Sequence, residues 1–140
     1  MLTVVKVGGG LARDAGDGAL RALCSVIAEV GARHPLLVVP GGAEFADTVR
    51  EQDERLGLQP QTAHRMAILA MDQFGWALAD LIPGAVRCVE LGSPRNGVVS
   101  VLLPAALLAE RDPSPRRGPS PRTQSPRGWP EPPAPSGSCC

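Results

Sequence analysis

Two rhythms of apolar and polar positions alternate along the first 110 residues. Leu2–Val7 is a short β-branched run that stops at Gly8-Gly9-Gly10, which predicts a strand entering a tight turn. From Asp17 the spacing becomes helical. Leu20, Leu23, Cys24, Ile27 and Ala28 share one face, Asp17 suits the N-cap and Gly31 the exit. Leu36–Val39 predicts a second strand, closed by Pro40-Gly41-Gly42. A second helix follows, with Phe45, Val49 and Leu56 on its apolar face. Pro60 ends the connection, and Thr62 suits the cap of a long third helix bearing Met66, Leu69, Ala70, Phe74, Ala77, Leu78 and Leu81. Pro83-Gly84 stops that helix. Val86–Leu91 and Val98–Leu102 predict two more strands, linked through Asn96-Gly97, and Pro104–Glu110 predicts a short helix.

Strands alternating with helices predict an α/β fold, a three-layer αβα sandwich around a mostly parallel sheet. Crossovers in such a sheet are right-handed, and ligands sit beyond the C-terminal ends of the strands. Both glycine-rich turns, Gly8–Gly10 and Gly41-Gly42, fall at that edge.

Composition changes the picture at the C-terminus. Of 15 prolines, nine lie in residues 111–140, a stretch with almost nothing apolar beyond Trp129, Ala134 and two terminal cysteines. Such a segment does not offset its ordering entropy by burial and is expected to be disordered. The folded unit is therefore expected at residues 1–110, an ordinary size for one domain.

Charge and cysteine usage exclude several function classes. Fourteen basic residues balance fourteen acidic ones, so bulk attraction to nucleic acid or an anionic membrane is not the main business. No apolar run approaches the roughly 20 residues of a membrane span. The segment MLTVVKVGGG lacks the pattern of a signal peptide. Cys24, Cys88, Cys139 and Cys140 have no metal-site spacing, so no metal site is expected and a reduced cytoplasmic location is the default.

Thirteen of the fourteen basic residues are arginine, and Lys6 is the only lysine. It stands two residues before Gly8. A glycine turn brings bare backbone N–H groups to an anion, and a following helix adds the positive end of its dipole. Lys6 would place a point charge beside the same phosphate, where phosphoryl transfer needs positioning and electrostatic stabilisation. The same residues equally suit ordinary strand-to-helix turns with Lys6 as a solvated strand end. VVKVGGG is neither GxxxxGK[ST] nor GxGxxG, so it is no P-loop and no dinucleotide fingerprint.

Val4-Val5-Lys6-Val7-Gly8-Gly9-Gly10-Leu11, together with Val38-Val39-Pro40-Gly41-Gly42-Ala43-Glu44-Phe45-Ala46-Asp47, resembles the amino acid kinase family. The helix His64-Arg65-Met66-Ala67-Ile68-Leu69-Ala70-Met71-Asp72-Gln73 resembles a smaller branch tied to biosynthesis of one-carbon carrier cofactors, which includes an aminomethylfuran phosphate kinase. The resemblance covers residues 1–110. It implies ATP-dependent phosphoryl transfer to a small anionic acceptor, a phosphate or a carboxylate, with Mg²⁺ bridging phosphates. By position it assigns Lys6 to the transferred phosphoryl group, backbone donors to Gly8, Gly9 and Gly10, and the acceptor pocket to Gly41 and Gly42. Gly10 stands where many members have serine, which leaves only the backbone amide. Arg65 is a candidate for pairing with the anionic acceptor, beside the alternatives of a solvated face or a subunit contact. His64 reads as structural, and Asp72 is not taken as a base.

The resemblance also implies that an ATP-binding half with a catalytic Asp follows the acceptor side, and residues 111–140 show none of it. Residues 117–140 can be back-translated in a shifted frame, with codons starting at each printed third base. That frame permits W-A-V-T-S-D-S-V-A-A-W-L-A and, further on, A-E-R-L-V-L; several positions admit other residues. The expectation is a frameshift near residues 112–116 that replaces the second half of a kinase, leaving a chain with little or no turnover of its own. The rival readings are a genuine Pro/Arg-rich interaction tail and a non-enzymatic binding or oligomerisation fragment. A homo-oligomer through the long Met- and Ala-rich helix stays open, because core packing explains the same residues.

Overall fold

Residues 1–92 and 97–111 are described by the computed structural model. Within them the order is β1 (Thr3–Val7), α1 (Gly9–Gly31), β2 (Leu36–Pro40), α2 (Ala43–Leu56), α3 (Pro60–Leu81), β3 (Val86–Cys88), β4 (Val99–Leu102) and α4 (Pro104–Arg111). The strands make one sheet in the order β1-β2-β4-β3, and every neighbouring pair is parallel. This is the expected α/β class, a parallel sheet flanked by helices.

Register and alternation decide which side chains meet. Val5 pairs with Val38 and Val7 with Pro40, while Val38 pairs with Val101. Successive side chains of a strand point to opposite faces, so Val5, Val7, Leu36, Val38, Val99 and Val101 share one face. That face meets Leu20, Cys24 and Ile27 of α1 and Phe74, Leu78 and Ile82 of the α3 segment in one apolar cluster. β-branched residues at these positions suit a pleated, buried surface. The opposite face carries Leu37, Ser100 and Leu102, which are also buried, but at β1 it carries Val4 and Lys6, which are exposed.

Two glycines set how closely helices approach the sheet. A Cβ on Gly31 would lie 2.2 Å from Val99 Cγ2, so the end of α1 rests on β4. A Cβ on Gly75 would lie 2.9 Å from Leu103 Cδ2 and 3.2 Å from the Leu102 carbonyl oxygen, so α3 touches the C-terminal end of β4 there.

The helix boundaries differ from the periodicity in informative ways. α1 begins at Gly9, not at Asp17, and Gly16 interrupts it at φ 75, ψ 173. The rhythm read from Asp17 is its second segment, and the glycines read as a turn form the first turn of a short leading segment. α3 begins at Pro60 with Gln59 as N-cap, so Thr62 lies inside the first turn. Proline suits that first position because its missing N–H has no intrahelical partner anyway. α2 buries only Ala46. Phe45 and Leu56, placed on its apolar face by spacing, are 39% and 56% exposed. Gly57, at φ 60, closes α2 with its N–H donated to the Asp53 carbonyl. β3 stops at Cys88, leaving Val89 and Leu91 exposed. α4 runs through Arg111, one residue into the stretch expected to be disordered, and the rest of that stretch lies outside the described residues. Among the described residues no helix is long and apolar enough to cross a membrane.

Candidate functional site

The site begins where β1 and β2 end level with each other. Lys6 pairs with Val39 and Val7 with Pro40, and the next residue on each strand opens a glycine turn. Val7 is buried, so β1 is anchored at its last residue, whereas Lys6 alternates to the opposite face and is exposed. The lone lysine therefore stands at the C-terminal edge of the sheet, two residues before Gly8 opens the turn.

The two turns touch. Gly41 is buried and donates its N–H to the Val7 carbonyl at 2.8 Å, and a Cβ there would sit 3.3 Å from Gly8 Cα. A Cβ on Gly9 would sit 2.3 Å from Ala43 Cα. Only glycine lets the backbones after the two strands approach this closely. Gly8 is the N-cap of α1 in extended conformation, without a side-chain cap, and the first turn of α1 carries no acidic residue. The space where a Cβ would stand on Gly8 is open. A helix start without a cap leaves backbone N–H groups available to an anion.

At α2 the arrangement is less favourable to an anion. Gly42 is the N-cap without a side-chain cap, but Glu44 lies in the first turn and satisfies the positive end of that dipole. Ala43 takes a left-handed backbone, φ 48, directly against Gly9. Nothing in the local pattern signals this, because alanine ordinarily avoids that region.

The other candidates divide between two places. Arg65 lies on α3, ten residues before Gly75, which is about 15 Å of helix rise. It lines a small cavity of about 140 Å³ with Ile68, Leu69, Ala105 and Ala109, between α3 and α4. None of the glycine-turn residues lines that cavity. Asp72 acts structurally, since its Oδ1 accepts the Ala105 backbone N–H at 3.0 Å and so caps α4. His64 is exposed. An apolar groove of about 240 Å³ between α2 and α3 is lined by Phe45, Val49, Met66 and Leu69. Among the described residues no three His, Cys, Asp or Glu side chains cluster to hold a metal ion.

Burial pushes the thiols of Cys24 and Cys88 above their ordinary pKa, with Arg21 opposing the shift at Cys24. Neither has the character of an activated nucleophile.

Residues 1–114 match the amino acid kinase family. The chain belongs to that family. It is 31% identical over 114 residues to the 5-(aminomethyl)furan-3-ylmethyl phosphate kinase of Methanocaldococcus jannaschii, with 78% of this chain and 50% of that kinase covered. The chain thus spans about half the length of the curated kinase it matches. Family membership matches the resemblance drawn from the paired glycine turns, and the similar kinase lies in the branch read from the third helix.

Proposed function

We propose that residues 1–110 carry the phosphoryl-acceptor side of an ATP-dependent kinase acting on a small anionic molecule. The observation that supports it is the placement of the only lysine beside two abutting glycine turns at the C-terminal edge of β1 and β2. Lys6 offers its charge to the migrating phosphoryl group. The N–H groups of Gly9 and Gly10 in the first turn of α1 donate to its oxygens, and Gly8 leaves the approach open. Gly41 holds the second turn against the first, and Gly42 forms the adjoining wall of the acceptor pocket. Arg65 lines the separate cavity between α3 and α4, so it is given no contact with the group held at the glycine turns. Fixed positive charge and oriented N–H donors suit this chemistry, because phosphoryl transfer rests on positioning and electrostatic stabilisation. ATP, with Mg²⁺ bridging its phosphates, would supply the phosphoryl group.

The acceptor class to test first is a phosphate monoester, by similarity to the curated kinase; a carboxylate is the next. The cytoplasm, which holds ATP and keeps thiols reduced, suits such an enzyme. Purified 140-residue chain, ATP, Mg²⁺ and a panel of phosphate and carboxylate acceptors give the test. The expected result is no turnover from this chain alone, and turnover once it is joined to the remaining half of a family member. Transfer by the isolated chain would refute its inactivity; no transfer from the joined protein to any acceptor would refute the kinase reading.

The C-terminal stretch is proposed to be the product of a frameshift near residues 112–116. Its support is the abrupt change to proline-rich sequence, the end of the family match at residue 114, and the kinase-like reading that the shifted frame permits. DNA sequencing through this region decides it: a gene whose other frame holds no helix-forming, Asp-bearing continuation ends the idea.

A further inference from the structure

The two helices that start at the sheet edge carry opposite electrostatic signs. α1 opens behind Lys6 on Gly8, Gly9 and Gly10, with no acidic residue in its first turn. Lys6 and the positive end of that dipole both favour an anion. α2 opens on Gly42 without a side-chain cap, and its first turn holds Glu44. A carboxylate there offsets the dipole and turns this second start toward a cation.

Backbone geometry holds the two starts together. Ala43 takes φ 48, a region costly for a residue with a Cβ. Its Cα lies only 2.3 Å from where a Cβ on Gly9 would stand. Glu44 is the next residue, so its Cα follows one peptide, about 3.8 Å, beyond that contact. The Thr48 hydroxyl donates to the Glu44 carbonyl at 3.2 Å, one turn along α2. Of the acidic residues of α2, Glu44 is thus the one set beside the first amides of α1. Asp47, a turn further on, is paired with Arg50. Glu44 is exposed, and among the described residues its carboxylate has no ion-pair partner. A carboxylate without a cation of its own, beside a place suited to an anion, repels a wholly anionic guest and attracts one that also carries positive charge.

We infer that Glu44 sets acceptor specificity by holding an ammonium group of the same molecule whose phosphate meets Lys6 and the glycine amides. This rests on the acceptor reading above and deepens it, by assigning the selection of a zwitterionic phosphate monoester to one residue. Lys6 and the start of α1 take the negative end, and Glu44 takes the positive end across Ala43. An ion pair in a partly solvated place is modest in strength, so Glu44 contributes discrimination between acceptors more than raw affinity.

The test titrates the 140-residue chain with 2-aminoethyl phosphate and with 2-hydroxyethyl phosphate, following the Gly8, Gly9 and Gly10 amides by NMR. The two monoesters match in size and differ in the ammonium. Both should shift those amides, and the amine should bind roughly three- to fivefold more tightly, the scale of one ion pair near the surface. Glu44→Gln should abolish the preference and leave the hydroxyl compound bound at least as well as before. Glu44→Asp, which keeps the charge, should retain part of the preference. Glu44 is exposed, so neither variant disturbs the core, and circular dichroism verifies this. Four results would each overturn the inference and leave the acceptor site standing. They are equal binding of the two compounds by the wild-type chain, a preference that survives Glu44→Gln, a Glu44→Gln loss shared equally by both compounds, and a Glu44→Asp variant no more selective than Glu44→Gln. If neither compound moves the glycine amides, the acceptor reading itself sinks and takes the role of Glu44 with it.

Discussion

Gly9 faces Ala43 so closely that a Cβ added to the glycine would lie 2.3 Å from the alanine Cα. The contact joins the starts of α1 and α2, and the atom in the way is backbone, which cannot rotate aside. Gly9→Ala is therefore expected to cost about 1–3 kcal/mol through overpacking. Gly8→Ala, where nothing stands within 4 Å, should cost less. Urea unfolding of the two variants checks the order; equal stabilities would mean the turns do not abut.

Asp72 ties the last described helix to α3 through the Ala105 N–H. Asp72→Ala should destabilise by about 0.5–2 kcal/mol, the usual cost of a lost cap. Asp72→Asn keeps an accepting oxygen and should retain most of that stability. Thermal melts of both variants separate a cap from a general effect of charge.

Lys6 is exposed and on the face away from the apolar cluster. Lys6→Ala should leave stability within about 0.5 kcal/mol, as for ordinary surface changes. In the fusion with the remaining kinase half, the same substitution should remove most phosphoryl transfer. Parallel melting and turnover measurements test the pair; a variant that keeps full turnover would return Lys6 to the role of a solvated strand end.

Burial raises the thiol pKa of both Cys24 and Cys88. At mildly alkaline pH each should react with a maleimide or disulfide reagent more slowly than a free cysteine, Cys24 most slowly because it is fully enclosed. The linkage has a sign. An acid ionising later in the folded than in the unfolded chain contributes stability that is whole below the unfolded pKa and lost as pH climbs through the folded one. Unfolding midpoints should therefore fall on the alkaline side, and Cys24→Ala and Cys88→Ala variants should show less of that fall. Peptide mapping of labelled protein assigns the rates.

Much of the fold was legible because its elements obey one rhythm each. Leu20, Cys24 and Ile27, or Phe74 and Leu78, recur at helix spacing and are buried together. The β-branched runs through Val7, Val38 and Val101 became neighbouring parallel strands. What was misread followed from local rules overridden by context. Three consecutive glycines disfavour a helix, yet Gly9 and Gly10 open α1 because Gly9 must clear Ala43. Phe45 and Leu56 fell on an apolar stripe, but α2 buries only Ala46 fully, leaving Phe45 at the rim of the α2–α3 groove and Leu56 mostly exposed. At the site, Lys6 and the glycines were legible from motif and place. The left-handed Ala43 and the cap from Asp72 to Ala105 were not, since both depend on which distant backbone lies alongside.

The break at Gly16 divides labour within α1. Among the residues whose burial is described, its anchors Leu20, Cys24 and Ile27 follow the break, whereas Gly9 and Gly10 precede it. Gly16 holds a backbone angle closed to other residues. The change of direction there lets the leading segment lie against Ala43 while Leu20, Cys24 and Ile27 seat the rest of the rod on the sheet.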